Sequence, residues 1–275
     1  MQPTFRSLLA HDATREQLEE WCRARAQAIP VGHDLVLCRV LGKHLMYCLA
    51  RDCALTPHLA LDGIWEPWVT MAIARHVRPG MRCLDVGACY GYYAILMADI
   101  VGAPGHVEAW EPYHDNLLRL NASLNGGSIE VHSSALGMGA DVIVAPPPSD
   151  VLSLFNAGGV EVVPALDDGR APPRYQRRVS SGYPTGTFDF VKIDVEGDEA
   201  QVWDALGAFR QYGPVTVCLE FTPEKHADPE AFLLNIEKDG FRLGTVGHDG
   251  TPRACSIEEA LQPDTGGFRM LWLKK

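Results

Sequence analysis

The sequence predicts an α/β fold in which helices cover both faces of a doubly wound, mostly parallel sheet. The first indication is residues 81–97, where an apolar strand pattern ends in a glycine-rich turn and a helical pattern follows at once. The second is that further apolar strand patterns alternate with helical ones along the chain, as in βαβ units. The third is a pair of strand patterns at 241–246 and 268–273, which predicts a terminal antiparallel hairpin.

Length and charge narrow the classes of protein to consider. A chain of 275 residues suffices for one α/β domain with an added segment, and its net charge of −11 disfavours broad binding to nucleic acid or anionic membrane. It has no apolar run of membrane-spanning length and no signal-peptide profile, which predicts a cytoplasmic protein. The eight cysteines include no C-x-x-C pair, so we expect buried thiols rather than a structural zinc site.

Residues 1–55 are predicted to form a mostly helical N-terminal cap or lid, ahead of a domain at 56–275. Thr14 suits a helix N-cap, and Leu18, Trp21 and Cys22 follow at helical spacing. Two interpretations stay open: a cap that packs on the core, or a segment that forms a lid over the substrate or a homodimer surface.

The turn that begins Asp85-Val-Gly87 indicates the kind of ligand. It lacks both the G-x-G-x-x-G pattern of dinucleotide sites and the pattern of a phosphate-binding P-loop. The acid two residues before the first glycine would repel a pyrophosphate, but it suits a ligand with a cationic amino group. S-adenosylmethionine is such a ligand.

More polar side chains follow the later predicted strands. Glu111 follows the second strand, Ser134 the third, Asp194 the fourth, and Glu220 stands at the end of the fifth. Because ligands of open α/β sheets bind at the carboxyl ends of the strands, these residues are candidates for one site.

Taken together, residues 62–275 resemble the FkbM family of methyltransferases. The resemblance rests on five motifs in register: Asp85-Val-Gly-Ala, Trp110-Glu-Pro, Ala135-Leu-Gly, Leu166-Asp167 and Lys192-Ile-Asp-Val-Glu-Gly. It implies a Rossmann-like class I methyltransferase with a seven-stranded sheet. It also implies S-adenosylmethionine as cofactor, S-adenosylhomocysteine as product, and a hydroxyl acceptor on a sugar or secondary metabolite, as in natural product biosynthesis. One departure is Cys89, which stands where the family has Asn.

The resemblance also implies which residues bind the cofactor. Asp85, Gly87 and Gly91 would line its methionine and ribose parts, Glu111 would accept hydrogen bonds from the ribose hydroxyls, and Glu66 would stand near the methionine end. A helix-capping role is the alternative for both glutamates. The full predicted set is Glu66, Asp85, Gly87, Ala88, Tyr90, Gly91, Glu111, Pro112, Ser134, Ala135 and Asp194.

Methyl transfer to a hydroxyl needs a base that removes its proton. The candidates are Asp194, Glu220 and His226, although a loop histidine is often plain surface. Asp194 and Glu220 would also suit Mg²⁺, but no metal site is predicted. Glu196 is expected to cap the next helix.

The segment 169–188 is predicted to be an insertion loop. Its arginines, in an otherwise acidic chain, would meet a phosphate or carboxylate on the small-molecule acceptor, unless the loop is merely solvated. They are Arg170, Arg174, Arg177 and Arg178.

Three rival functions remain at the level of the sequence. The first is N-methylation of an amide or amine, such as a peptide side chain, which needs no strong base. The second is an NAD(P)-dependent oxidoreductase, with Glu111 on the ribose, but Asp85 and the missing third glycine count against it. The third is an inert binding module with the same fold.

Overall fold

A computed structural model of the chain describes residues 5, 13–126, 128–137, 142–145, 161–164, 177–179, 181–207, 215–262, 264 and 266–275. In the strands at 142–145, 161–164 and 177–179, it describes the backbone. The helices are α1 (Arg15–Arg23), α2 (Leu55–Leu61), α3 (Pro67–His76), α4 (Tyr92–Val101), α5 (Asp115–Leu124), α6 (Glu199–Ala205), α7 (Pro229–Lys238) and α8 (Ile257–Ala260). None of these helices is long and apolar enough to cross a membrane.

The strands are named in chain order. They are β1 (Gln27–Val31), β2 (Leu35–Val40), β3 (His44–Leu49), β4 (Arg82–Val86), β5 (His106–Trp110), β6 (Ile129–His132), β7 (Ala135–Leu136), β8 (Val142–Ala145), β9 (Glu161–Pro164), β10 (Arg177–Val179), β11 (Ser181–Gly182), β12 (Phe190–Ile193), β13 (Thr216–Phe221), β14 (Gly244–Val246), β15 (Pro252–Ala254) and β16 (Arg269–Lys274).

The main sheet has the order β6-β5-β4-β12-β13-β16-β14-β15. Its first five strands are parallel and the last three antiparallel, which confirms the predicted doubly wound sheet and its terminal hairpin. The predicted sheet had seven strands, and the eighth strand of the structure is the short edge strand β15. The chain runs from β4 out to β6 and then crosses to β12, so the topological switch point lies between β4 and β12.

The central strands are apolar because helices cover the sheet on both faces. All four residues of β12 are buried, including Lys192, which is 1% exposed. One face packs in a core with Cys83 and Phe190, and the other in a core with Leu84 and Val191. A lysine inside such a strand needs anionic partners, and the site supplies them.

The N-terminal segment differs from the prediction. Thr14 and Gln17 do form a capping box on α1, but the described residues that follow make a three-stranded antiparallel sheet, β1-β2-β3. Within residues 13–54 the structure thus has one helix and three strands, so this described part of the predicted cap is not mostly helical. The turn between β2 and β3 has positive φ at both Leu41 and Gly42, the backbone of a tight hairpin turn. Leucine at such a position gives no turn signal in the sequence.

Two asparagines of α5 and its C-cap attach this small sheet to the main domain. The side chain of Asn121 accepts from Tyr47 N at 2.8 Å and donates to Tyr47 O at 3.0 Å. The side chain of Asn125 likewise accepts from Leu45 N at 3.1 Å and donates to Leu45 O at 2.8 Å. Asn121 also donates to Tyr90 O at 2.8 Å. The two amides thus take the place of a neighbouring strand along the edge of β3.

The predicted insertion loop at 169–188 is described in part. Its β10 pairs with β8, which pairs with β9, and β11 pairs with β7. Arg170 and Arg174 lie outside the described residues, as do Leu166 and Asp167, and only the backbones of Arg177 and Arg178 are described. The contact between these arginines and an anionic acceptor stays a prediction.

Replacing Asn121 by Ala should destabilise the protein. The side chain is fully buried, and its loss leaves two backbone carbonyls and one N–H without partners. We expect the free energy of unfolding to fall by about 2–4 kcal/mol in urea titration. Asn116→Ala, on an exposed position of the same helix, is the matched control. Equal effects of both changes would show that the amide does not attach β3.

Candidate active site

A cavity of about 570 Å³ opens at the carboxyl ends of β4, β12 and β13, beside the switch point. One wall comes from the loops that follow β4, β5 and β12, together with Glu220 of β13. The opposite wall comes from α1, α2 and the turn before α3, so the N-terminal segment takes part in the site. Ligands of open α/β sheets occupy this crevice.

The cavity brings together seven of the residues predicted from the sequence, namely Glu66, Gly87, Ala88, Glu111, Pro112, Asp194 and Glu220. Gly87 is required by packing: a Cβ there would lie 1.8 Å from the carbonyl oxygen of Asp194, and its φ is +79°. This glycine lets the loops after β4 and β12 meet at the cavity floor.

A buried ammonium group holds the acids of the cavity floor. Lys192 Nζ donates to Asp194 Oδ2 at 2.7 Å and lies 4.6 Å from the centre of the Tyr93 ring. Asp85 is the direct neighbour of Lys192 on the adjacent strand. Tyr93 Oη in turn donates to Glu66 Oε2 at 2.5 Å. The network therefore joins β4, β12, α4 and the turn before α3.

Burial changes the proton affinity of these groups. It raises the pKa of Glu66 to about 7 and that of Asp85 to about 7, although Lys192 opposes both shifts. Burial alone would lower the pKa of Lys192, but Asp194, Asp85 and Glu66 outweigh it and hold this pKa above the ordinary value. The floor thus combines a permanent cation with carboxyl groups that titrate near neutral pH.

The turn at Glu66 does not serve as a helix cap. Glu66 occupies the N-cap position of α3, yet its side chain accepts no hydrogen bond from that helix. Its φ is +38°, in the left-handed region that costs a non-glycine residue energy. Among the described residues, four non-glycine residues have positive φ, and three of them, Glu66, Cys89 and Glu196, line this cavity. Such strain concentrates at functional sites.

Glu111 holds the loops of the cavity in place. Its Oε1 accepts from Tyr113 N at 2.7 Å and His114 N at 2.8 Å, and its Oε2 accepts from Cys89 N at 2.9 Å. A carboxylate offers about four acceptor positions, so Oε2 keeps one for a ligand. Three of these positions are filled from within the protein, so Oε2 has room for one ribose hydrogen bond rather than the predicted pair, and the contact itself stays a prediction.

Three carboxylates lie together at the end of β12 and β13. Single oxygens of Asp194, Glu196 and Glu220 lie within 4.8 Å of one another. Glu196 forms an ion pair with Lys225 Nζ, while Glu199, rather than Glu196, accepts from the loop amides. Burial, with the charges of Asp194 and Glu196, raises the pKa of Glu220 well above its ordinary value. Glu220 is thus the strongest base candidate of the three.

Five of the predicted cofactor residues lie off the cavity wall. Asp85 is buried beneath the floor, and Tyr90 is buried against His114. Gly91 serves as the N-cap of α4 and packs against Leu118. Ser134 and Ala135 lie beyond the end of β6, outside the residues that line the cavity. A contact between these five and a cofactor stays a prediction.

His226 is not placed as a catalytic base. Its Nε2 lies 3.2 Å from Glu199 Oε2, and both side chains are almost fully buried. The ring stacks on Phe232 and contacts Phe221. A histidine after a strand looked accessible from the sequence, but the apolar residues of β13 and α7 enclose it.

The chain was also compared with known proteins. No family model and no curated protein matches this chain. A methyltransferase from Aquifex aeolicus that depends on S-adenosylmethionine is 14% identical, with a TM-score of 0.39, over 72% of this chain and 83% of that one. An S-adenosylmethionine-dependent O-methyltransferase from Thermotoga maritima is 12% identical, with a TM-score of 0.43, over 76% of this chain and 64% of that one. A precorrin-6y C5,15-methyltransferase from Geobacter metallireducens is 11% identical, with a TM-score of 0.41, over 76% of this chain and 86% of that one. Values this low support no inference about activity.

Sequence reasoning gave no role to several residues of the site. Lys192 was visible as a lone charge within the apolar run of β12, which is itself a signal of a buried ion pair. Tyr93 gave no signal beyond its helical position. The wall formed by α1 and α2 depends on tertiary packing, and so do the aromatic residues Trp65, Trp68 and Phe268 that complete the cavity.

Replacing Glu66 by Gln should flatten the dependence of stability on pH. The folded-state pKa of Glu66, about 7, lies above its ordinary 4.5, so the folded state holds an extra proton between these values. Stability from this group is full below its unfolded pKa and is lost as pH rises through about 7. From about pH 5.5 to 7.5, the variant should lose about 2 kcal/mol less than the parent in urea titration. The exposed Glu224→Gln is the control; parallel curves for Glu66→Gln and the parent would contradict the assignment.

Proposed function

We propose that the protein is a methyltransferase that uses S-adenosylmethionine and acts on a hydroxyl group. The observation that carries the proposal is the cavity at the switch point, because its floor is acidic where a nucleotide phosphate site would be basic. Glu66, Asp194 and Glu220 all face this cavity, and among the described residues its floor holds one buried ammonium group, that of Lys192. Such a floor suits a ligand with cationic groups and no phosphate.

The residues present fit this cofactor. Glu66 and Asp194 would face its ammonium and sulfonium charges, and the free acceptor position of Glu111 Oε2 would take one ribose hydroxyl. The aromatic rings of Tyr93, Trp65 and Phe268 offer further contact to a positive sulfur. When bound, S-adenosylmethionine supplies a methyl group carried by a positively charged sulfur. The sulfur leaves as a neutral thioether, so the protein need not protonate a leaving group.

The role left to the protein is to align the acceptor and remove its proton. Lys192 Nζ donates a hydrogen bond to Asp194 Oδ2, which occupies that oxygen and fixes the side chain at the cavity floor. Glu220 makes no hydrogen bond within the described residues, and its pKa is raised by burial and by Asp194 and Glu196. We therefore assign the base to Glu220 and a positioning and electrostatic role to Asp194.

The acceptor proposed is a hydroxyl on a sugar or secondary metabolite, by the resemblance of five sequence motifs to the FkbM family. The acid-lined cavity supports this choice over an amine, since neighbouring carboxylates stabilise the protonated, non-nucleophilic form of an amine. We further propose that α1 and α2 act as a cap that stays packed on the core, because their buried residues Leu18, Cys22 and Leu59 belong to the same apolar core as α4.

Calorimetric titration should show micromolar binding of S-adenosylhomocysteine and no binding of NAD⁺. Replacing Glu111 by Gln should weaken that binding by about tenfold or more, because it turns an acceptor oxygen into a donor and loosens the loop at Cys89. Glu224→Gln, an identical change at an exposed position outside the cavity, should bind like the parent.

Two outcomes of that titration would overturn the proposal. Binding of NAD⁺ in place of S-adenosylhomocysteine would replace the transferase by an oxidoreductase. Equal affinity in the parent and Glu111→Gln would show that the ligand does not contact the loop after β5.

Replacing Glu220 by Gln should lower turnover and spare cofactor binding. With a hydroxylated acceptor that the parent methylates, kcat should fall by about 100-fold or more, the usual contribution of a general base. In the parent, kcat should rise with pH, since the base must lose its proton first. The dissociation constant of S-adenosylhomocysteine should stay within about threefold. Glu224→Gln again serves as control, and an unchanged kcat in Glu220→Gln would remove Glu220 as the base.

A further inference from the structure

A second cluster of ligating side chains lies on the two outermost parallel strands, away from the cavity. It consists of His106 and Glu108 on β5 and of Glu130 and His132 on β6, and we call it the edge cluster. Residues two apart on a strand share a face, so all four side chains project from the same side of the sheet. Glu108 and Glu130 are direct partners in the register of the two strands.

The four side chains form a closed ring of nitrogen and oxygen atoms. His106 Nε2 lies 3.5 Å from Glu108 Oε1 and 3.4 Å from Glu130 Oε2. His132 Nε2 faces the other oxygen of each carboxylate, at 3.7 and 3.4 Å. Direct N–H···O hydrogen bonds are shorter, about 2.9 Å, so the ring is not closed by hydrogen bonds.

These distances match those between ligands that share one metal ion. Two ligand atoms about 2.1 Å from a tetrahedral Zn²⁺ lie about 3.4 Å apart. His106 Nε2 and single oxygens of Glu108 and Glu130 all lie within 4.8 Å of one another, so these three ligand atoms surround one position. Imidazole and carboxylate are both ordinary zinc ligands.

Among the described residues, one guanidinium group, that of Arg82, faces the two carboxylates of the cluster. Glu108 is 4% exposed, and within the described residues it accepts one long hydrogen bond, from Arg82 at 3.5 Å. Carboxylates placed side by side on neighbouring strands repel each other. The Nε2 atom of His132 is buried and has no hydrogen-bond partner among the described residues. A cation between the carboxylates would answer the first two observations, the burial of Glu108 and the repulsion between the two carboxylates.

We propose that the edge cluster binds Zn²⁺ through His106, Glu108 and Glu130, with His132 positioning the second oxygen of each carboxylate. Stacking on Trp110, at 4.2 Å between ring centres, fixes the His132 ring. Arg82 holds Glu108 from outside the ring, as outer-sphere partners of metal sites do. The ion joins β6, the edge strand of the sheet, to β5. This site was not expected from the sequence, because its ligands come from two strands and include no cysteine.

The test is calorimetric titration of Zn²⁺ into the full chain after removal of metals by chelator. One equivalent should bind tightly, and His106→Ala or Glu130→Gln should weaken it at least about 100-fold, the upper end of what loss of an outer-sphere partner costs. Both positions are at least partly exposed, so the variants should fold. His248→Ala, which removes an exposed histidine paired with Asp264, is the control and should bind like the parent.

A second readout separates an ion bound at this site from one bound elsewhere. Zn²⁺ should raise the melting temperature of the parent and of Asp194→Asn, which alters the acid group of the cavity, but not that of His106→Ala. The proposal is overturned if the parent binds Zn²⁺ no more tightly than His106→Ala, or if Asp194→Asn abolishes binding. In the first case the edge cluster is not a metal site. Titration with S-adenosylhomocysteine is independent of these results.

Discussion

The buried ammonium group of Lys192 is the interaction on which the candidate site depends. A lysine in the middle of a fully buried strand is costly unless carboxylates surround it, and Asp85, Asp194 and Glu66 do so here. These acids come from β4, the loop after β12 and the turn before α3. Each acid would be costly to bury without the lysine. The charge therefore fixes the relative position of three segments that are far apart in the chain.

Close backbone packing makes this arrangement rigid. Gly87 lets the loop after β4 lie against the Asp194 carbonyl, and Glu111 binds the same loop from the other side through Cys89 N. On the outside, Asn121 of α5 joins the edge strand β3 to Tyr90 of that loop. The loop at the cavity floor is thus held from three directions, which explains how it keeps strained residues such as Cys89 in the left-handed region.

Much of this could be predicted from the sequence, and the failures have physical reasons. The order of strands and the acids at their ends follow from local patterns, which placed Glu111, Asp194 and Glu220 at the cavity, and the family resemblance added Glu66. Properties that depend on packing between distant segments could not be predicted from these patterns. The apolar run at 32–41 can be recognised as a strand pattern, but its pairing into the sheet β1-β2-β3 was missed because Leu41 hides the turn. His226 was misjudged because its enclosure comes from α7. Histidines and glutamates on β5 and β6 become a cluster only once the strand register is known.

The central proposal is that the acidic cavity at the switch point binds an adenosyl amino acid. A crystal structure of the protein with S-adenosylhomocysteine tests it most directly. We expect the amino-acid ammonium to lie at Glu66 or Asp194 and a ribose hydroxyl to lie within hydrogen-bond distance of Glu111 Oε2. Density for the ligand outside this cavity, or with its ends reversed so that adenine meets Glu66, would contradict the proposal.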